Sequence, residues 1–287
     1  MNGRPSAEPI GLIAGNGRFP VLFAREAKRR GHRVIAVAHR GETDEAIESE
    51  VDELTWIRVG QLGRMIRSLR SGGVTRAVMA GGIDKVRSLT QVRPDLRGIL
   101  FLRRVLSKSG QGDDLVLRAL ATELEKDGIL IVPSTLFLEN LLASPGRMAG
   151  PKPSTQVLAD IRLGCRVLAA LGDVDVGQSV IVERGVVLAV EAVEGTDEAL
   201  RRAGALGRGA AVLVKTSKQG QDMRFDVPAV GPITIATMAA AGVTTLAVEV
   251  GATLLLDRDE LLAAATAAGV GVYGCRGDGV VSGFSND

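Results

Sequence analysis

The first half of the chain alternates short apolar, β-branched runs with segments whose apolar residues recur at helical spacing. IGLIAG, RVIAVA, LTWIRV, RAVMAGG and ILIVPS read as strands, and FPVLFAREAKRR and LGRMIRSLR read as helices between them. That rhythm predicts βαβ units around a parallel, Rossmann-like sheet. Between the last two strands the pattern predicts two more helices, over about 95–107 and 113–126, and TLFLENLLA after them also reads as helical. In SPGRMAGPKPS, prolines, glycines and basic residues then replace the apolar pattern, as in a connection between domains. The second half resumes with a helix over 156–171. SVIVERGVVLAVEA reads as a hairpin turning at Arg184 and Gly185. The strand-like runs AAVLVK, TLAVEV and GVYGC alternate with helical segments near 197–205, 232–241 and 258–268. The expected organisation is a Rossmann-like N-terminal domain over 1–145, a linker over 146–153, and a second α/β domain over 154–287 that carries the chemistry.

Composition narrows the function classes. With 287 residues, 46% hydrophobic and 24% charged, the chain has apolar material for two cores. Its 35 basic and 33 acidic residues leave a formal charge of +2, and aromatics are 3% of the chain, with Trp56 and Tyr273 the single examples of their types. Neither nucleic-acid wrapping nor single-strand stacking is expected. Cys165 and Cys275 have neither zinc-site spacing nor the density of a disulfide framework. The opening MNGRPSAEPIGLIAG lacks a signal-peptide pattern, and no stretch reaches membrane-spanning length, so a cytoplasmic protein is expected.

Two glycine-rich turns should open on the carboxyl edge of the first sheet. Gly15, Asn16 and Gly17 follow the first strand, and Gly81 and Gly82 follow RAVMA. They are candidates for phosphate binding; the alternative is that they only form tight turns. Pro20 occupies the third-glycine position of a dinucleotide fingerprint, and RVIAVAHR ends without an acidic residue for a ribose. Both features argue against NAD.

The polar concentration lies between Lys215 and Asp226. If residues 222–227 are extended, Met223, Phe225 and Val227 share one face and Asp222, Arg224 and Asp226 share the other. Carboxylates there would hold a hard divalent cation, while Arg224, Lys215 and Lys218 would neutralise diphosphate oxygens. The alternative is an exposed strand face whose charges pair with one another. A second acidic run, Glu191, Glu194 and Asp197, ends the strand VVLAV, and Thr196 reads as the N-cap of the helix that follows. The expected metal ligands are Asp226, Asp222, Glu191, Glu194 and Asp197.

These residues sit in motifs that resemble a known family. GLIAGNGRFP at 11–20, AGGIDKVR at 80–87, GDDLVLRAL at 112–120, DVGQ at 175–178, AVEAVEGTD at 189–197 and QDMRFDVPAVGPIT at 221–234 together resemble the UDP-2,3-diacylglucosamine pyrophosphatases of lipid A biosynthesis, in the form unrelated to calcineurin-like phosphoesterases. The resemblance implies hydrolysis of that UDP-linked glycolipid to UMP and 2,3-diacylglucosamine 1-phosphate. Water would attack the α-phosphorus with Mg2+, or Mn2+ in its place. It also implies a homodimer, and it gives Asp226 the role of essential acidic residue with Asp222 as second choice. Gln178, Thr196 and Thr234 in the shared motifs become substrate contacts. One departure is Gln219, where proline was expected in the lysine-containing loop. ILFLRRVLSK combines a broad apolar surface with Arg103, Arg104 and Lys108, which suits peripheral contact with the inner membrane; packing in a core is the alternative. The competing functional reading is a non-catalytic nucleotide-sugar binding module, which turnover would separate from the hydrolase.

Overall fold

The computed structural model describes residues 7–83, 92–106, 113–172, 174, 176–218, 222–225 and 227–284. The chain divides into two compact units, Met1–Leu138 with Asp222–Asp226, and Glu139–Gln221 with Val227–Asp287.

The first unit is built on a five-stranded parallel sheet in the order β3-β2-β1-β4-β5. Its strands are β1 (Ala7–Ala14), β2 (His32–His39), β3 (Glu53–Ile57), β4 (Arg76–Ala80) and β5 (Leu130–Ile131). Helices α1 (Phe19–Arg29), α2 (Leu62–Ser71), α3 (Leu96–Leu106) and α4 (Asp113–Glu125) connect them. Burial of β1, β2 and β4 on both faces explains their nearly unbroken apolar runs, with Leu12 in register between Ala36 and Val78. Ile13, Ile35, Leu69, Met79 and Leu124 form part of a core on one face. The expected Rossmann-like sheet is therefore present, with the strand reversal between β1 and β4.

The second unit has a six-stranded mixed sheet in the order β6-β13-β11-β9-β7-β8. Its strands are β6 (Gly146–Ala149), β7 (Ser179–Glu183), β8 (Val186–Val190), β9 (Ala211–Lys215), β11 (Val243–Glu249) and β13 (Gly271–Cys275). A parallel pair of short strands, β10 (Ala229–Val230) and β12 (Leu254–Leu255), lies apart from it. Its helices are α5 (Thr155–Gly172), α6 (Thr196–Leu206), α7 (Pro232–Ala240) and α8 (Arg258–Ala267). Alternation along the strands fills two cores. Val180, Val182, Val212 and Val214 pack with Leu158 and Ile161, whereas Ile181, Leu213 and Leu246 pack with Leu200 and Leu261. Cys165 and Cys275 are free and buried in the first of these. At the expected hairpin, Asp160 accepts the N–H groups of Arg184 (2.9 Å) and Gly185 (2.7 Å), fixing the turn between β7 and β8.

Two expected boundaries differ. The stretch 146–153, read as a linker, contributes β6, which pairs antiparallel with β13, and the division between units falls at Leu138 and Glu139. Pro145, Pro151 and Pro153 flank β6 and lie outside it, so its ladder keeps its N–H groups. TLFLENLLA does not form an α-helix: Phe137 has a left-handed backbone (φ 71), and only Glu139–Leu141 make a single 3-10 turn. The Phe137 ring stacks on His32, with centroids 4.7 Å apart, which holds the chain in that conformation.

Candidate functional site

In the first unit the two glycine turns interlock at the carboxyl edge of the sheet. Gly15 N–H donates to the Ala80 carbonyl (2.8 Å), Asn16 N–H to the Gly82 carbonyl (2.7 Å), and Gly82 N–H to Asn16 Oδ1 (3.1 Å). A Cβ on Gly15 would fall on the Gly82 carbonyl oxygen, and one on Gly81, whose φ is 79, on the Asn16 carbonyl oxygen. Three of the N–H groups expected to face a phosphate therefore tie one turn to the other. Gly17 is exposed beside them, and α1 begins without a side-chain cap. Beneath this edge, His39 Nδ1–H (2.9 Å) and the Thr43 hydroxyl (2.7 Å) both donate to the Ala14 carbonyl. Burial holds the His39 pKa below its ordinary 6.5, against an opposing push from the Ala14 bond.

Residues 222–225, also in the first unit, form a turn and not the expected strand. Phe225 N–H donates to the Asp222 carbonyl (3.0 Å), and Arg224 N–H to Asp222 Oδ1 (3.1 Å). The Arg224 guanidinium curls back onto both carboxylate oxygens of Asp222, at 2.9 and 2.8 Å for the shorter contacts. That hydrogen bonding holds the Asp222 pKa below its usual value. Phe225 packs against the core of this unit, and Ser134 donates to the Met223 carbonyl through N–H (3.2 Å) and Oγ (3.1 Å). Local Asx bonding and the burial of Phe225 thus override the alternation. Asp226, given the essential role by family resemblance, lies outside the described residues, as do Asp84–Arg87, Lys108, Gly112, Asp175, Gln219 and Gln221.

The second unit gathers a polar cluster at the carboxyl end of β9. Lys215 is buried (8% exposed), and its ammonium donates to Thr196 Oγ1 (2.9 Å) and Ser179 Oγ (3.2 Å). Thr196 Oγ1 in turn donates to Glu191 Oε1 (3.0 Å). The other oxygen, Glu191 Oε2, lies 3.8 Å from Lys215 Nζ and is buried without a hydrogen bond. Thr196 is therefore not the helix cap expected of it: Gly195 occupies the N-cap position, and the Thr196 hydroxyl bridges an ammonium to a carboxylate. Ser217 donates through N–H (2.8 Å) and Oγ (2.5 Å) to Glu249 Oε2, and Thr216 N–H donates to the Gln178 carbonyl (3.2 Å). The segment leading to Lys218 is pinned in this way to β11 and to the residue before β7. Thr234 Oγ1 accepts the Gly231 N–H (3.5 Å) at the start of α7.

Of the expected metal ligands, Asp226 lies outside the described residues and Asp222 belongs to the first unit, with Glu191, Glu194 and Asp197 in the second. Glu194 pairs with Arg202 (2.5 Å), Asp222 with Arg224, and Asp197 stands half-buried in the first turn of α6. Among the described residues no group of three His, Cys, Asp or Glu side chains is placed to hold a metal ion. No described helix is long and apolar enough to cross a membrane. Sequence reading passed over Ser179, Ser217 and Glu249. Their signal was position: each polar residue stands at the end of an apolar strand or just beyond it, two of them on the carboxyl edge that parallel sheets use for ligands.

Comparison with known proteins adds the following. The chain matches the family model described as the LpxI N-terminal domain over residues 9–141 and the LpxI C-terminal domain over residues 144–273. It is 32% identical over 273 residues to the UDP-2,3-diacylglucosamine pyrophosphatase LpxI of Caulobacter vibrioides, covering 92% of this chain and 96% of that protein. Among solved structures, gox2253 matches 93% of this chain and 89% of its own at 13% identity and a TM-score of 0.30. The biotin carboxylase subunit of pyruvate carboxylase matches 66% of this chain and 39% of its own at 14% identity and a TM-score of 0.25. At such TM-scores these structural likenesses carry no argument.

Proposed function

Since the chain belongs to the LpxI family, we propose that it hydrolyses the diphosphate of UDP-2,3-diacylglucosamine, a step of lipid A biosynthesis. The observation that carries the reading is full-length similarity, at 32% identity, to a protein of that named activity. Water attacks the α-phosphorus, the bond from that phosphorus to the bridging oxygen breaks, and UMP leaves with the new oxygen. The sugar 1-phosphate keeps the bridging oxygen and its two acyl chains.

The chemistry of the second unit suits this substrate. The ammonium of Lys215 is oriented by two hydroxyls, and a preorganised cation gives most where negative charge accumulates in the transition state. Asp226 is assigned water activation or metal binding. The metal proposed is Mg2+, with Mn2+ as a substitute; when bound it neutralises charge on the diphosphate oxygens. Of its assigned ligands, Glu191 fits a hard cation best, because one of its buried oxygens lacks a hydrogen bond. Glu194 and Asp222 are engaged by arginines and would have to release them. The reading includes a homodimer and peripheral contact with the inner membrane.

The test is turnover of UDP-2,3-diacylglucosamine in oxygen-18 water. Label in UMP is expected. Label in the sugar phosphate would overturn the site of attack, and absence of turnover would favour a binding module.

A further inference from the structure

Helix α3 leaves one apolar stripe bare. Leu96 is 76% exposed, Ile99 45% and Leu100 54%, and the spacing i, i+3, i+4 puts them on one face, with the exposed Arg103 completing it at i+7. The opposite side of the helix is the packed one. Gly98 lies so close to the Gly60 carbonyl that a Cβ would overlap it, and Phe101 rests on the core. The stripe is therefore not a core face turned outward by a loose helix. Leu115 of α4, 38% exposed, lines a separate groove with Phe101, Arg104 and Val105.

Basic residues frame this surface. Arg93 precedes the helix and Arg103 closes the stripe, both exposed and neither engaged by a described carboxylate. Leu96 and Leu100 also wall a cleft of 710 Å³ in which Arg67, Arg70 and Arg97 are balanced by Asp95 and Asp127, so the basic character of the surface rests on Arg93 and Arg103. A contiguous apolar patch marks an interaction surface, and arginines around it select an anionic partner. A second copy of the chain is the competing occupant, and because a two-fold contact sets residue i against residue j, the oligomeric state of the triple variant below decides between them. A leaflet containing anionic lipid meets both demands: acyl chains for the leucines, headgroups for the arginines.

We infer that the α3 stripe of Leu96, Ile99 and Leu100, framed by Arg93 and Arg103, is the surface by which the protein docks on an anionic bilayer. The purpose given to this surface rests on the lipid substrate proposed above, but its occupant does not. Docking is read without turnover, so the two proposals can fail separately.

The full chain is sedimented with vesicles of phosphatidylcholine alone and of phosphatidylcholine with phosphatidylglycerol. Binding to the anionic vesicles is expected, and Leu96→Asp/Ile99→Asp/Leu100→Asp should lower it at least about tenfold with turnover of detergent-dispersed substrate unchanged. Arg93→Gln/Arg103→Gln, which leaves the apolar stripe intact, should narrow the preference for anionic vesicles. Undiminished vesicle binding by the triple variant, or no binding by the unaltered chain, would overturn the proposal. So would a triple variant that changes oligomeric state by light scattering while vesicle binding stays the same, since the stripe would then hold a second copy. Vesicle binding without hydrolysis would leave the surface standing and remove the substrate.

Discussion

The ammonium of Lys215 lies 2.9 Å from the Thr196 hydroxyl, and this bond joins the carboxyl end of β9 to the first residue of α6. A buried ammonium needs such partners, and here Ser179 and Glu191 complete its surroundings. With those partners the charge is satisfied where it stands, and on the proposed reading it also offsets the negative charge that builds on the reacting phosphate. Lys215→Met should therefore lower kcat/KM on UDP-2,3-diacylglucosamine by about 100-fold or more, the usual loss when a positioned charge-stabilising donor is removed. Lys215→Arg should not restore it, because the planar guanidinium is bulkier and cannot direct its donors as a compact ammonium does. Thr196→Val should cost about tenfold, consistent with one hydrogen bond to a charged group. UMP release measures all three, and a Lys215→Met variant as active as the parent would remove the residue from the mechanism.

At the glycine edge of the first unit the prediction concerns stability. Gly15→Ala forces a methyl group onto the Gly82 carbonyl, so the two turns must separate and lose their mutual hydrogen bonds. A destabilisation of about 1–3 kcal/mol is expected, as for other overpacked sites. Gly17→Ala, where a Cβ meets nothing within 4 Å, should be milder and limited to the strain of its positive φ of 79. Thermal unfolding of the two variants side by side checks the order. Equal losses would mean that backbone strain, not the contact between the turns, dominates.

The strands of the first unit were legible because burial on both faces leaves an unbroken apolar run, and Leu12, flanked by Ala36 and Val78, shows why. The hairpin at Arg184 was legible for a similar reason: turn residues interrupt two apolar runs. Asp222–Val227 was not. Alternation implies a strand only when a neighbouring strand accepts its N–H groups, and here Asp222 takes the N–H of Arg224 while Phe225 leaves for the core. The site was partly legible. Lys215 stood out as a charge ending an apolar strand, but its partners lie 36 and 19 residues away, at Ser179 and Thr196, and no local pattern reports a contact of that kind.

His39 gives the first unit a pH dependence. Burial lowers its pKa from 6.5, so the unfolded chain binds the proton more readily than the folded one. The stability that comes from keeping this ring neutral is present above the unfolded pKa and is lost as pH falls below it, toward the folded value. The Nδ1–H bond to Ala14 survives only while the ring stays in its buried position. Unfolding temperature should thus fall between pH 7 and pH 5, with a slope from this group of at most about 1.4 kcal/mol per pH unit. His39→Asn should flatten the profile over that window. An unchanged slope in the variant would assign the dependence to other groups.

Two carboxylates four residues apart offer the sharpest division of roles. Asp222 is committed to Arg224 through both of its oxygens, and the pair shapes a turn. Asp226 is the residue proposed for water activation or metal binding. With Asp222 held by Arg224 and kept from the metal, Asp222→Asn should keep turnover within about tenfold, since the amide oxygen still accepts from Arg224. Asp226→Ala should fold, bind the UDP-linked substrate and lose about 1000-fold or more in kcat, as expected when a water-activating or metal-holding group is removed. Chelator should abolish turnover of the unaltered chain and Mg2+ or Mn2+ should restore it, because the donors assigned to the metal are all hard oxygens. Full activity in chelator would sink the metal, while a large loss in Asp222→Asn with little in Asp226→Ala would exchange the two roles. Substrate binding, measured by calorimetry on both variants, separates a failure of chemistry from a failure to bind.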